Sequence, residues 1–153
     1  PHRCVEIARV NDIRYIDDSK ATNIGATVAA LEGLAPTIQG KLILIAGGDA
    51  KGADMASLSP YLTKYVSHVF ALGKDAHLFD KSFAHTTRVA TMKDAVKAAT
   101  RLAAPCDVVL LSPACASLDM FKNYMHRGDV FKQDVHDLLN LHGKNDDAVE
   151  ATS

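Results

Sequence analysis

The sequence predicts an α/β, Rossmann-like three-layer domain, with a mostly parallel sheet, helices on both faces and an N-terminal hairpin. Three observations predict it. Short apolar runs alternate with helix-spaced segments along most of the 153 residues. Two of the runs, Leu42 to Ala46 and Val108 to Leu111, are continuously apolar, as in strands covered on both faces. The first two runs flank a tight Asn11-Asp12 turn.

The elements follow in order. Cys4 to Val10 and Ile13 to Ile16 are expected as the two hairpin strands. Ile24 to Leu34 carries Ile24, Val28 and Leu31 at helical spacing, with Thr22 or Asn23 available as N-cap. Lys41 to Ala46 is the next strand, Ser57 to Tyr65 a helix and Val66 to Leu72 a strand. His77 to Phe83 is a short helix, Thr87 to Ala90 a weak strand and Met92 to Ala103 an amphipathic helix. Asp107 to Leu111 closes the strand series. Ser117 to Leu141 holds the last helical material, with a break expected near Gly128. The domain therefore spans 1–141. The polar, aperiodic residues 142–153 are expected to be a disordered tail.

Composition narrows the function classes. Hydrophobic residues make up 48% and charged residues 23%, the balance of a folded globular protein. The formal net charge is -1, and no polybasic run points to nucleic acid or a membrane surface. The apolar runs are strand length, far short of a bilayer span. Three cysteines, Cys4, Cys106 and Cys115, are odd in number and unpaired in spacing, which suits reduced thiols and a cytoplasmic location. The seven histidines are scattered, so no metal site is expected. No signal-peptide pattern is present, and the start at Pro1 without methionine is that expected of a cut or processed longer chain.

Right-handed crossovers place the strand-to-helix loops on one edge of such a sheet, where ligands of open α/β sheets bind. Four loops fall there. Asp17-Asp18-Ser19-Lys20-Ala21-Thr22-Asn23 offers a cation, hydroxyls and helix-start amides, a plausible anion site, although capping alone also explains Thr22 and Asn23. Gly47-Gly48-Asp49-Ala50-Lys51-Gly52-Ala53-Asp54 combines close backbone approach with a point charge. Gly73-Lys74-Asp75 is expected to be a plain turn. Ser112-Pro113-Ala114-Cys115-Ala116-Ser117 has small residues, with Ser117 expected at a helix start. Cys115 has no neighbouring histidine to activate it and is expected to be a small buried thiol. Neither a Walker loop nor G-x-G-x-x-G occurs, so a complete nucleotide-using enzyme is not expected from this chain.

Three ordered motifs carry a family resemblance: Ile16 to Asn23, Gly47-Gly48-Asp49-x-Lys51, and Leu111-Ser112-Pro113-Ala114-Cys115-Ala116-Ser117-Leu118-Asp119-x-Phe121-Lys122-Asn123. They resemble the third domain of the Mur ligase family, in the branch that adds D-glutamate to UDP-N-acetylmuramoyl-L-alanine during peptidoglycan synthesis. The likeness runs from Pro1 to about Leu139.

The resemblance implies amide formation driven by ATP with Mg2+, through an acyl phosphate that the D-glutamate amine attacks. It places the Walker loop, the Mg2+ ligands and the UDP-sugar site in other domains. No catalytic residue is therefore assigned to this chain, and the domain alone is expected to be inactive. By motif position, the resemblance implies that Arg3 and Asp18 contact ATP or ADP and that Lys20 lies near the phosphates. It implies that Thr22 and Lys51 hold one D-glutamate carboxylate, with Ser117 and the backbone at Tyr124 holding the other. Tyr124 stands where the family has phenylalanine, and Asp17 where it has asparagine. A monomer is expected. The alternative is a non-catalytic Rossmann-type module that binds a nucleotide or small anion.

Overall fold

The computed structural model describes residues 1–140, so the tail expected over 142–153 lies outside the described residues. Strands β1 (Val5–Val10) and β2 (Ile13–Asp17) form the hairpin. Asn11 and Asp12 both take positive φ, 53° and 62°, which gives the two-residue turn whose twist matches paired strands. Helix α1 (Ile24–Leu34) leads to β3 (Leu42–Gly47), and a 3-10 turn at Met55–Leu58 runs into α2 (Ser59–Tyr65). Then come β4 (His68–Leu72), α3 (Ala76–Ser82), β5 (Thr86–Arg88), α4 (Met92–Leu102), β6 (Val108–Leu111) and α5 (Tyr124–Leu138).

The sheet order is β1-β2-β6-β3-β4-β5. Among the strands of the described residues, only the β1–β2 pair is antiparallel. Strand β6 therefore inserts between β2 and β3, and the connections leaving the adjacent ends of β2 and β6 turn to opposite faces, to α1 and to α5, a reversal of layer at one edge. Ligand crevices of open α/β sheets form at such a reversal. The registers Asp17↔Leu111, Ile45↔Leu111 and Gly47↔Leu72 end β2, β6, β3 and β4 nearly level, so their following loops share one edge.

Alternation along the central strands splits the core in two. Leu42, Leu44, Val69, Ala71, Val108 and Leu110 face one layer with Leu31 of α1, Leu58 of the 3-10 turn, Leu62 of α2 and Phe79 of α3. Ile43, Ile45, Phe70, Val109 and Leu111 face the other with Val96 and Ala99 of α4 and Phe131 and Val135 of α5. Full burial of such a side chain is worth roughly 1.5–3 kcal/mol, and the continuously apolar runs follow from the need to supply both layers.

The last helix corrects the sequence reading. Residues Ser117 to Asn123 form turns and bends, and α5 begins only at Tyr124, capped by Asn123, whose Oδ1 accepts from the His126 amide at 2.8 Å. Helix α5 passes through Gly128 without a break. Glycine's weak helix propensity is overridden because the helix must approach β2 and the leading segment closely here: an added Cβ would lie 2.3 Å from His2 Nδ1. Ser57 and Leu58 also belong to the 3-10 turn rather than to α2.

Candidate functional site

The loop after β2 is built from its own carboxylates. Asp17 Oδ1 accepts from the Ser19 amide at 2.9 Å, a local turn that lifts Lys20 outward. Asn23 caps α1 by accepting from the Ala26 amide at 2.9 Å, which leaves Thr22 exposed and free of that task. Asp18 is 3% exposed; its Oδ1 accepts from the Cys4 amide at 3.2 Å and its Oδ2 from Ser112 Oγ at 2.7 Å. Burial raises its pKa above the ordinary carboxylate value, and the Ser112 and Cys4 hydrogen bonds partly oppose that. A cleft of about 220 Å3 opens beside it, lined by Arg3, Cys4, Asp18 and a wall of Ala21, Ala26, Ala29 and Ala30. One cation and one carboxylate edge over small apolar side chains could seat a flat ring carrying polar groups.

The loops after β3, β4 and β6 are zipped together. Asp49 and Ala116 exchange both backbone hydrogen bonds, at 3.0 and 2.9 Å, and the Gly47 amide donates to the Pro113 carbonyl at 3.0 Å. Gly48 makes this possible: a Cβ there would sit 2.3 Å from the Ala116 oxygen, and its φ is 132°. The Gly73-Lys74-Asp75 segment braces the zipper and is more than the plain turn expected. Asp75 Oδ2 accepts from the Ala50 amide at 2.8 Å, and the Lys74 amide donates to Asp119 Oδ2 at 3.0 Å. The Lys74 ammonium lies 3.5 Å from Asp49 Oδ2. The Lys51 amide, followed by Lys74, holds the Asp49 carboxyl below its ordinary value.

The antiparallel bridge carries two of the expected residues away from its opposite ends. Lys51, exposed and at φ 50°, follows the Asp49 side of the bridge, and Ser117, 4% exposed, follows the Ala116 side. Ser117 does not start a helix; its carbonyl accepts from the Met120 and Phe121 amides in a tight turn. Tyr124 opens α5, where its N–H has no helical acceptor. Arg3 and Asp18 share the alanine-walled cleft, which does not include Thr22, Lys51, Ser117 or Tyr124. The expected residues thus do not line one common pocket. Among the described residues no group of three histidine, cysteine or acidic side chains could hold a metal ion. Cys115 is fully buried and burial pushes its thiol up to about 12, so it is the inert core thiol expected.

Sequence reasoning missed the residue that ties these loops together. Arg127 is 1% exposed; it donates to Ser19 Oγ at 2.9 Å, to the Ser19 carbonyl at 2.7 Å and to the Cys115 carbonyl at 2.9 Å. Ser19 Oγ in turn donates to the Tyr124 carbonyl at 2.6 Å. One buried guanidinium therefore joins the loop after β2, the loop after β6 and α5. The only available signal was an arginine on the inward face of a helix, which pattern alone does not separate from a surface arginine.

The profile of the Mur ligase, glutamate ligase domain matches residues 2–115. The chain belongs to the Mur ligase family. Over 140 residues it is 49% identical to a UDP-N-acetylmuramoylalanine–D-glutamate ligase of Coxiella burnetii, covering 90% of this chain and 32% of that one. A ligase of the same name from Shewanella violacea is 53% identical over 132 residues, covering 86% and 29%. The chain thus spans about a third of the length of the curated relatives it matches. Among solved structures, a murein peptide ligase from Psychrobacter arcticus superposes with a TM-score of 0.69 at 16% identity, covering 93% of this chain and 30% of that one. A bifunctional folylpolyglutamate synthase/dihydrofolate synthase, solved with Mn, AMPPNP and L-glutamate bound, gives 0.65 at 20% identity, covering 92% and 32%. These Mur-type and folate-type neighbours share the mostly parallel six-stranded sheet, as the sequence predicted.

Proposed function

We propose that this chain is the amino-acid-receiving domain of an ATP-dependent ligase that joins D-glutamate to UDP-N-acetylmuramoyl-L-alanine through an acyl phosphate in the cytoplasm. One observation carries the reading: in a chain about half identical to ligases of that name, the three motif loops converge on one sheet edge as two open half-sites. A dicarboxylate needs two separated anion sites, and fixing both aims its amine. Thr22 and Lys51 would hold one carboxylate, and Ser117 with the Tyr124 N–H the other. Arg3 and Asp18 would take the base and sugar end of ATP, with Lys20 toward its phosphates. A divalent ion such as Mg2+, held by another domain, would neutralise the phosphates. The domain would act as part of a monomer and turn over nothing alone.

The test is amide shift mapping on the 153-residue chain. Titrated ADP is expected to move Arg3, Asp18 and Lys20, and D-glutamate to move Thr22, Lys51, Ser117 and Tyr124, both weakly. Shifts confined to residues 57–65 would sink the assignment. Tight ADP binding by this chain alone would favour the non-catalytic nucleotide module instead.

A further inference from the structure

Asp17 stands beside the residues that the proposed reaction uses, yet it is 3% exposed and fully engaged. Its Oδ1 takes the Ser19 amide, and its Oδ2 lies 2.6 Å from His2 Nδ1. With Asp17 as a carboxylate, both oxygens accept, so the imidazole carries its proton on Nδ1. Nε2 is left facing Asp129 at 3.8 Å. Two more bonds sew the same segment to the same loop. The Lys20 amide donates to the His2 carbonyl at 2.9 Å, and the Cys4 amide donates to Asp18 Oδ1 at 3.2 Å. Arg3, between these two anchors, is left to line the cleft with Asp18. The backbone at His2 and Cys4 is left-handed, with φ of 61° and 49°, a conformation that such residues keep only where their surroundings hold them. Helix α5 closes the third side. A Cβ on Gly128 would lie 2.3 Å from His2 Nδ1 and 2.7 Å from Asp17 Oδ2, and the Tyr124 ring meets the imidazole edge-on at 6.1 Å.

We propose that His2 and Asp17, seated against Gly128, form a positioning clasp that fastens the segment Pro1 to Cys4 to the ligand-edge loop and sets Arg3 and Lys20 as one unit. Only the identity of the ligand rests on the function proposed above; the clasp stands on the contacts alone. Neither His2 nor Asp17 touches the reacting atoms. Their role is to hold the cation of one segment and the cation of the next loop at a fixed separation, as an extended anion requires.

The experiment is nuclear magnetic resonance on the 153-residue chain and its Asp17→Ala, Asp17→Asn, His2→Ala and Gly128→Ala variants. The wild-type imidazole is expected to be protonated on Nδ1. Asp17→Ala and Gly128→Ala are both expected to move the Arg3 and Lys20 amides and speed their exchange about tenfold, while β3 and β4 amides stay in place. His2→Ala, which adds no bulk, gives the same displacement should Gly128→Ala fail to fold. Asp17→Asn is the discriminating rescue. Its amide can still accept from Ser19 and donate to the ring, so Arg3 and Lys20 return to their places with the imidazole switched to the Nε2–H tautomer. Arg3 and Lys20 amides unmoved by Asp17→Ala, or a wild-type ring protonated on Nε2 alone, would overturn the clasp. An ADP titration separates the two ideas. Loss of ADP response in wild type with the clasp signatures intact removes the proposed ligand and leaves the clasp supported.

Discussion

Arg127 is the bulkiest fully buried side chain among the described residues, and its burial sets a sharp expectation. Desolvation pushes its pKa down to about 10, so it enters the interior still charged at neutral pH. Its three hydrogen bonds to Ser19 and Cys115 offset that cost. Arg127→Ala removes the charge and its cost together but strands two buried carbonyls, so a loss of about 1–3 kcal/mol for each carbonyl left unsatisfied is expected in urea denaturation. Asp18 gives a pH test. Its folded pKa is raised, so its contribution to stability is fully present below the unfolded value near 3.8 and declines as pH rises through the folded one. Stability of Asp18→Asn relative to wild type should therefore climb across that window and stay flat above it. The same variant should weaken ADP binding, which separates the residue's cost from its use. A flat difference across the acid range would show that Asp18 is not desolvated as the structure has it. Cys115 supplies a third test: at pH 8 alkylation should spare it in the native chain and reach it only on unfolding, at a rate that follows global opening.

At the scale of elements, two helix starts and one loop zipper decide the site's shape. Asn123 holds the first turn of α5, and Asn123→Ala should cost about 1 kcal/mol and fray the turn that presents Tyr124. Gly48→Ala drives a Cβ against the Ala116 carbonyl and demands φ 132° of an alanine. We expect a loss of about 1–3 kcal/mol from that strain, with amide shifts on both sides of the Asp49–Ala116 bridge while α4 stays unchanged. The element boundaries were largely legible. Continuous apolar runs marked β3 and β6 because both faces must be covered, and Asn11-Asp12 marked the hairpin because paired strands need a two-residue turn with positive φ. The beginning of α5 was not legible: Ser117 to Asn123 has helix-compatible composition and even closes one helix-like turn on the Ser117 carbonyl, and the extended backbone of the cap Asn123 is what separates it from the helix. Gly128 misled for a related reason. Propensity treats a mid-helix glycine as a weakness, whereas here it is the space that His2 occupies.

For the whole molecule, the strand order carries the functional argument, because β6 inserted between β2 and β3 is what gathers distant segments on one edge. If the half-sites are completed by other domains of a full-length ligase, Lys51→Ala in that full-length enzyme should raise KM for D-glutamate by about 10- to 150-fold, as loss of a charge-assisted contact does, with little change for ATP. Steady-state kinetics with each substrate varied in turn would check it, and an equal rise for both substrates would argue against a carboxylate role.

The sequence by itself determined the α/β class, the double-sided burial of the central strands and the family. Those properties depend on residue type and local spacing, which a linear chain displays. Only the tertiary structure decided how the loops lock: the Asp49–Ala116 bridge, Arg127 reaching Ser19 and Cys115, and His2 held by Asp17 under Gly128. Each joins groups far apart in the chain by hydrogen bonds with strict geometry. No periodicity records such a contact, because it comes into existence only when the sheet places both partners on the same edge.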